Sequence, residues 1–236
     1  MLTALLYHRI GTNNALSISQ FEKHMLFIKK RYPIVYPGQD PGVSITFDDA
    51  TVDFYKNVFP LLKKHKVKVL LAVPTSYILD KTTISMEKRL CFSEVELFTP
   101  LSKDKGYFCT VEELLEMQNS SLVKIASHSC SHQNLLDPTV DLNHEIEDSK
   151  LFLQEKLKTT VDTFVYPYGK FNGSIRNLVA QYYSYQLRIG SGINFHAKDL
   201  FYRIPCDDRV DIAKVFTHSK ILTFSFHTIV NKIRNR

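Results

Sequence analysis

The sequence predicts an α/β fold, one domain over residues 1–236, in which parallel strands alternate with helices as a barrel or an open sheet. Two observations predict it. Apolar, β-prone runs alternate with helix-period segments from end to end. The residues able to do chemistry, paired aspartates and spaced histidines, stand where those strands stop, which is where barrel enzymes carry their active groups.

The elements follow in order. Residues 2–7 read as a strand and 17–31 as a helix, with Phe21, Met25 and Ile28 on one face. A short buried strand is expected at 43–47, a helix at 54–65 and a strand at 67–73. Thr110-Val111-Glu112-Glu113 has the form of a capping box and opens a helix through Met117. Strand 123–126, helix 142–157, strand 163–166 and helix 174–182 continue the alternation. Strands at 185–189 and 200–204 and a helix at 210–218 complete it. Residues 79–109 break the rhythm and read as an insertion, a lid or substrate-binding loop. No repeat or linker divides the chain.

Composition narrows the function classes. Hydrophobic residues make up 44% and charged residues 23%, ordinary for a globular protein with a sizeable core. Thirty basic and twenty-four acidic residues give a formal charge of +6, a mild excess spread along the chain, so no nucleic-acid partner is expected. The basic C-terminus, from Ile229 to Arg236, is the one place where weak contact with a membrane surface is expected. Cys91, Cys109, Cys130 and Cys206 show no paired spacing and read as reduced thiols. With no signal-peptide pattern at the start, the expected location is the cytoplasm, at most the inner face of the membrane.

Three clusters carry chemistry. In Ser44-Ile45-Thr46-Phe47-Asp48-Asp49-Ala50, two carboxylates end an apolar strand; a nearby cation would let both stay ionised, and a helix cap is the other use of such a pair. In Ser127-His128-Ser129-Cys130-Ser131-His132, imidazoles four residues apart can meet around one turn, and with a carboxylate they form a site with open positions. The serines suit contacts to the imidazole N–H groups, and Cys130 reads as packing. In Phe164-Val165-Tyr166-Pro167-Tyr168-Gly169, Pro and Gly force a tight loop that can aim a backbone N–H into a pocket; Pro167 has none, which leaves Tyr168 as the donor.

Together and in this order, these motifs resemble the polysaccharide deacetylase family (NodB-homology, carbohydrate esterase family 4). Thr46-Phe47-Asp48-Asp49-Ala50 is similar to its first motif, TFDD followed by Gly or Ala, and His128-Ser129-Cys130-Ser131-His132 to its second. The resemblance implies an irregular (β/α) barrel of about seven strands. It also implies hydrolysis of the N-acetyl group of an amino sugar by a metal-activated water. Asp48 is then the base, and Asp49, His128 and His132 hold a divalent metal, Zn foremost, with Co, Ni or Mn able to take the same ligands. The substrate it implies is an N-acetylated sugar or glycan, and the missing signal-peptide pattern favours a nucleotide-linked or lipid-linked precursor in cell-surface glycan biosynthesis.

Most relatives carry a late-strand histidine as general acid. His8, in Tyr7-His8-Arg9-Ile10, resembles the N-terminal Tyr-His segment of a circularly permuted branch and is the favoured acid; His227 is the alternative. Many relatives also place an Arg in the third motif to orient the base. Here Phe164 or Val165 stands there, and Arg203 is the residue able to supply that charge. The Asp-Trp segment that supports the acid in relatives cannot be complete, because the chain has no tryptophan. Two other readings remain open: a catalytically weak or silent glycan-binding relative, and a metal hydrolase acting on another acyl group such as formyl or an ester.

Overall fold

Seven parallel strands close into a barrel in sequence order, β1 to β7, with β7 pairing back onto β1. The computed structural model describes residues 1–12, 15–39, 41–195 and 198–233. The strand β1 (Leu2–Tyr7) leads to helix α1 (Ile18–Arg31), and β2 (Gly42–Phe47) to a π-helical turn and α2 (Phe59–His65). After β3 (Val69–Val73) come the short helices α3 (Met86–Arg89) and α4 (Pro100–Asp104), then α5 (Val111–Asn119). Next are β4 (Val123–Ser127), α6 (Ser149–Leu157), β5 (Thr163–Val165), α7 (Gly173–Tyr182), β6 (Tyr185–Ile189), β7 (Leu200–Pro205) and α8 (His218–Ile233).

The caps that the sequence advertises are made. Ser17 accepts from the Gln20 N–H while Gln20 accepts from the Ser17 N–H, and Thr110 and Glu113 exchange the same two bonds. On α1, Phe21, Met25 and Ile28 face the core, as their spacing requires.

Period-two alternation decides what enters the barrel. Val43, Ile45 and Phe47 of β2 join the large core between barrel and helices, with Val69, Leu71 and Val73 of β3. The other face fills the interior with Leu2, Leu70, Ala72, Ala126, Val165, Leu187 and Phe201. Thr46 takes the interior phase of β2, and Asp48, two residues on, continues it past the strand's end. On β4 the interior phase runs from Ala126 to His128.

Some elements differ from the sequence reading. The helix expected at 210–218 is a 3-10 turn, Ile212–Phe216, capped by the Asp211 side chain, and the long helix follows it as α8. Apolar residues surround α8, with Phe224 buried while Leu222, Phe226 and Ile229 are exposed, so no single stripe marked it. Residues 234–236 of the basic end lie outside the described residues. Cys91 is exposed, the other three cysteines are buried, and all four are free thiols. No helix among the described residues is long and apolar enough to cross a membrane.

Residues 79–109 form no barrel strand. They run over the C-terminal ends of β2 and β4, where Phe108 bridges to Thr51. Buried Arg89 holds the segment in place, donating to the Gly106 and Phe108 carbonyls and, through both terminal nitrogens, to Glu113. Replacing one partner of such a pair leaves the other charge buried alone, so Arg89→Met should lower the unfolding free energy by about 3 kcal/mol in a urea titration. An unchanged midpoint would show that the segment is anchored elsewhere.

Candidate active site

Six of the seven strand ends at one rim of the barrel, all but that of β3, deliver a side chain to a single cavity of about 710 Å³. His8 follows β1, Asp48 and Asp49 follow β2, His128 and His132 follow β4, Tyr168 follows β5 and Asp207 follows β7; all line it. Arg9, Glu94, Leu97 and Phe98 close its sides.

Asp48 and Asp49 are neighbours with opposite strand phases, yet both reach the cavity. The backbone explains this: Asp49 has φ 72 and Ala50 φ 53, so the chain turns left-handed as it leaves β2 and swings Asp49 back toward the histidines. His128 Nε2 lies 3.6 Å and His132 Nε2 3.7 Å from Asp49 Oδ1. One ligand atom from each of the three fits within 4.8 Å of the others.

The donor set suits a divalent cation. His128 Nδ1 is 2.8 Å from the Val165 carbonyl; that bond places the ring's proton on Nδ1 and leaves the Nε2 lone pair facing Asp49. Burial lowers both imidazoles to a pKa of about 4, so both are neutral ligands at ordinary pH. Burial also raises the Asp49 carboxyl, because it penalises the charged form. Two neutral nitrogens and one carboxylate so placed could hold a metal ion.

Asp48 has a different partner. Arg203, fully buried on β7, grips it through two bonds, 2.6 Å from Nη1 to Oδ1 and 2.7 Å from Nη2 to Oδ2. Burial alone would raise the Asp48 carboxyl, but the Arg203 guanidinium overrides it and holds the group well below the usual carboxylate range. The structure thus brings Arg203 and Asp48 together, from β7 and the end of β2.

On the opposite side, His8 Nδ1 lies 2.9 Å from Asp207 Oδ2, and the His8 N–H donates to Asp207 Oδ1 at 2.8 Å. Burial would lower this imidazole, yet the Asp207 bond and the charges of Asp49 and Asp48 raise it to about 9. The alternative acid, His227, sits on α8 with Nδ1 3.3 Å from the Ser191 carbonyl and does not line the cavity. Asp207 escaped the sequence reading although Cys206-Asp207-Asp208 ends a strand as Asp48-Asp49 does.

One local reading changes. The serines of the histidine loop do not bond the imidazoles. Ser129 Oγ accepts from the His132 N–H and Ser127 Oγ from the Ser129 N–H, because a loop this tight must first satisfy its own backbone. Buried Glu145, also unforeseen, accepts from the N–H groups of Cys130 and Ser131 and from the Ser131 hydroxyl. Cys130 packs as expected, its thiol 3.2 Å from the His144 carbonyl. In the third motif, Tyr168 (φ 56) and Gly169 (φ 65) are both left-handed. A Cβ on Gly169 would sit 3.1 Å from the Ile189 nitrogen. The loop's own bonds use the Gly169 and Lys170 N–H groups, and Tyr168's N–H is not among them.

A family model described as "Polysaccharide deacetylase" matches residues 36–186, a stretch that contains Asp48, Asp49, His128, His132 and Tyr168. The chain belongs to the polysaccharide deacetylase family. His8, Arg203 and Asp207 lie outside the matched stretch of this deacetylase-family chain. YxkH of Bacillus subtilis (strain 168), whose name describes a polysaccharide deacetylase, is 25% identical over 187 residues, 72% of this chain and 58% of its own length. The poly-beta-1,6-N-acetyl-D-glucosamine N-deacetylase of Escherichia coli (strain K12) is 26% identical over 165 residues, covering 58% of this chain. The matches thus span just over half of the first relative and 23% of the second.

Solved structures share the fold. Streptococcus pyogenes deacetylase PplD, in complex with acetate, superposes with a TM-score of 0.71 at 20% identity, over 94% of this chain and 97% of that one. IcaB from Ammonifex degensii gives 0.70 at 19%, over 94% and 96%.

The positive φ of Ala50 explains why Gly or Ala follows the paired aspartates. Ala50→Gly should keep or raise stability by about 1 kcal/mol, since a left-handed residue with a Cβ is strained by roughly that much. Ala50→Val, β-branched and fully buried, should unfold at markedly lower denaturant. Equal midpoints for the two variants would refute the backbone argument.

Proposed function

We propose that this chain removes the acetyl group from the nitrogen of an amino sugar, using a divalent metal held by Asp49, His128 and His132. The observation that carries the reading is the division of labour between adjacent acids: Asp49 faces two neutral imidazoles, while Asp48 is claimed by Arg203. A catalytically silent glycan binder has no need of that division.

A divalent cation on these three ligands supplies Lewis acidity, making water a better nucleophile and an acyl carbonyl a better electrophile. Zn²⁺ suits two imidazoles and a carboxylate, and Co²⁺, Ni²⁺ and Mn²⁺ suit them as well. Asp48, kept ionised by Arg203, takes the proton of the attacking water. The Tyr168 N–H donates to the carbonyl oxygen as negative charge grows there. His8, charged and steadied by Asp207, faces the same space and gives its proton to the departing amine nitrogen, which cannot leave as an anion. Asp207 thereby does for His8 what the Asp-Trp segment does in relatives. The name of the Escherichia coli relative supports N-acetylglucosamine as the sugar to try first.

Zn²⁺- or Co²⁺-loaded protein mixed with N-acetylglucosamine oligomers and precursors should release acetate. Full metal content with no acetate from any N-acetylated sugar would overturn the proposal, and formate or ester-derived acid would redirect it to another acyl group. His8→Ala should lower turnover by about 10²–10⁴-fold with metal content intact, and His227→Ala should change neither.

The raised pKa of His8 also has a sign. Its charged form is favoured in the fold, so its contribution to stability is complete below the ordinary value of 6.5 and is lost as pH rises through about 9. A bound cation offsets the Asp48 and Asp49 charges, so the alkaline limb of activity should fall below 9. Asp207→Asn should move that limb further toward neutrality; a limb that stays put would remove His8 from the acid role.

A further inference from the structure

The two histidines of the proposed metal site are held by different means. His128 is fixed by its Nδ1 bond to the Val165 carbonyl. His132 Nδ1 is buried and makes no hydrogen bond to another of the described residues. Metal-ligating imidazoles are ordinarily aimed by a partner on the second nitrogen, so something else must set the plane of this ring.

Phe98 lies flat against it. The ring centroids are 3.9 Å apart and the planes 10° from parallel, while Tyr168 and His128 meet the His132 ring nearer edge-on, at 4.8 Å and 4.7 Å. Phe98 is itself held firmly. Tyr77 meets it edge-to-face at 5.4 Å, Phe108 tilts against it at 5.5 Å, and Tyr77 and Phe108 stack on each other at 5.1 Å. The Tyr77 hydroxyl stands 3.1 Å from the carbonyls of both Phe98 and Ser131, tying the 79–109 segment to the histidine loop through one side chain. The backbone of Phe98 has φ 60, a conformation sterically costly for an aromatic residue and kept only where surrounding contacts impose it.

We propose that Phe98 is a positioning residue for the metal site: its stacked ring sets the plane of His132 in place of the absent Nδ1 bond. The inference rests on the metal reading above and gives residues 79–109 a role as part of the ligand scaffold. Of the two ways round that the stack permits, only the one observed puts Nε2 beside Asp49.

Co²⁺ binding to the apo-protein, followed by visible absorption and by competition with a chelating dye, separates this from a structural role. Phe98→Gly relieves the left-handed backbone but loses the ring's packing on Tyr77 and Phe108, so Co²⁺ binding is measured at a temperature where circular dichroism shows the metal-free variant folded. Its Co²⁺ affinity should fall about tenfold or more, the usual effect of losing a ligand's orienting partner, with a changed absorption band. Phe98→Leu keeps apolar bulk against Tyr77 and Phe108 without a planar face and should bind Co²⁺ more weakly than wild type. Phe98→Tyr should restore wild-type affinity and spectrum. Wild-type binding by the Gly or Leu variant, or no recovery by Tyr, would overturn the inference and leave the metal site standing. If wild type binds Co²⁺ no better than Asp49→Ala, the metal reading falls, and the role of Phe98 with it.

Discussion

The buried ion pair between Arg203 and Asp48 is the interaction on which this site depends. It joins β7 to β2 inside the barrel, across β1, where the residue in register with both Arg203 and Ser44 is Ala4 and so leaves room for a guanidinium to pass. Neither charge would be tolerated there alone, and the two parallel bonds satisfy both carboxylate oxygens. Once Asp48 is committed, its neighbour is left to face the histidines. Two chemically identical side chains, adjacent in sequence, thereby acquire separate environments.

The arrangement strains the backbone. Among the described residues, ten other than glycine have positive φ; Asp49, Phe98, His132 and Tyr168 of these line the cavity, and Ala50 and Ser129 adjoin it. Such conformations persist only where surrounding contacts impose them. Carboxylates brace the segments around the cavity. Glu145 gathers the N–H groups of the histidine loop, Asp53 accepts from the Ile10 N–H and the Thr51 hydroxyl, and Asp207 takes both the N–H and the ring of His8. Closure of β7 onto β1 brings Asp207 to His8 across 199 residues of chain. The proposed acid and its support therefore exist only when the barrel is closed.

How much of this was legible in the sequence follows from range. Asp48, Asp49, His128 and His132 could be read because each cluster is local and ends an apolar run, a position with a fixed meaning in parallel α/β folds. Arg203 could be suspected only through the family resemblance, as the charge able to stand in for the arginine absent from the third motif. Asp207 carries the same strand-end signal, but its partner His8 is 199 residues away and only closure of β7 onto β1 brings the two together. The serines misled because side-chain proximity in sequence says nothing about whether backbone or imidazole competes better for a hydroxyl. Phe98 was beyond reach: it lies in a segment without periodicity, and its importance comes entirely from where the tertiary fold sets its ring.

The most direct test of the division between the two acids is a single preparation of Asp48→Asn in which bound divalent metal and acetate release from an N-acetylated sugar are both measured. The account predicts a full complement of metal with turnover reduced by about 10²-fold or more, because the base is lost and the ligands are not. A variant that loses its metal, or one that turns over like wild type, would contradict it.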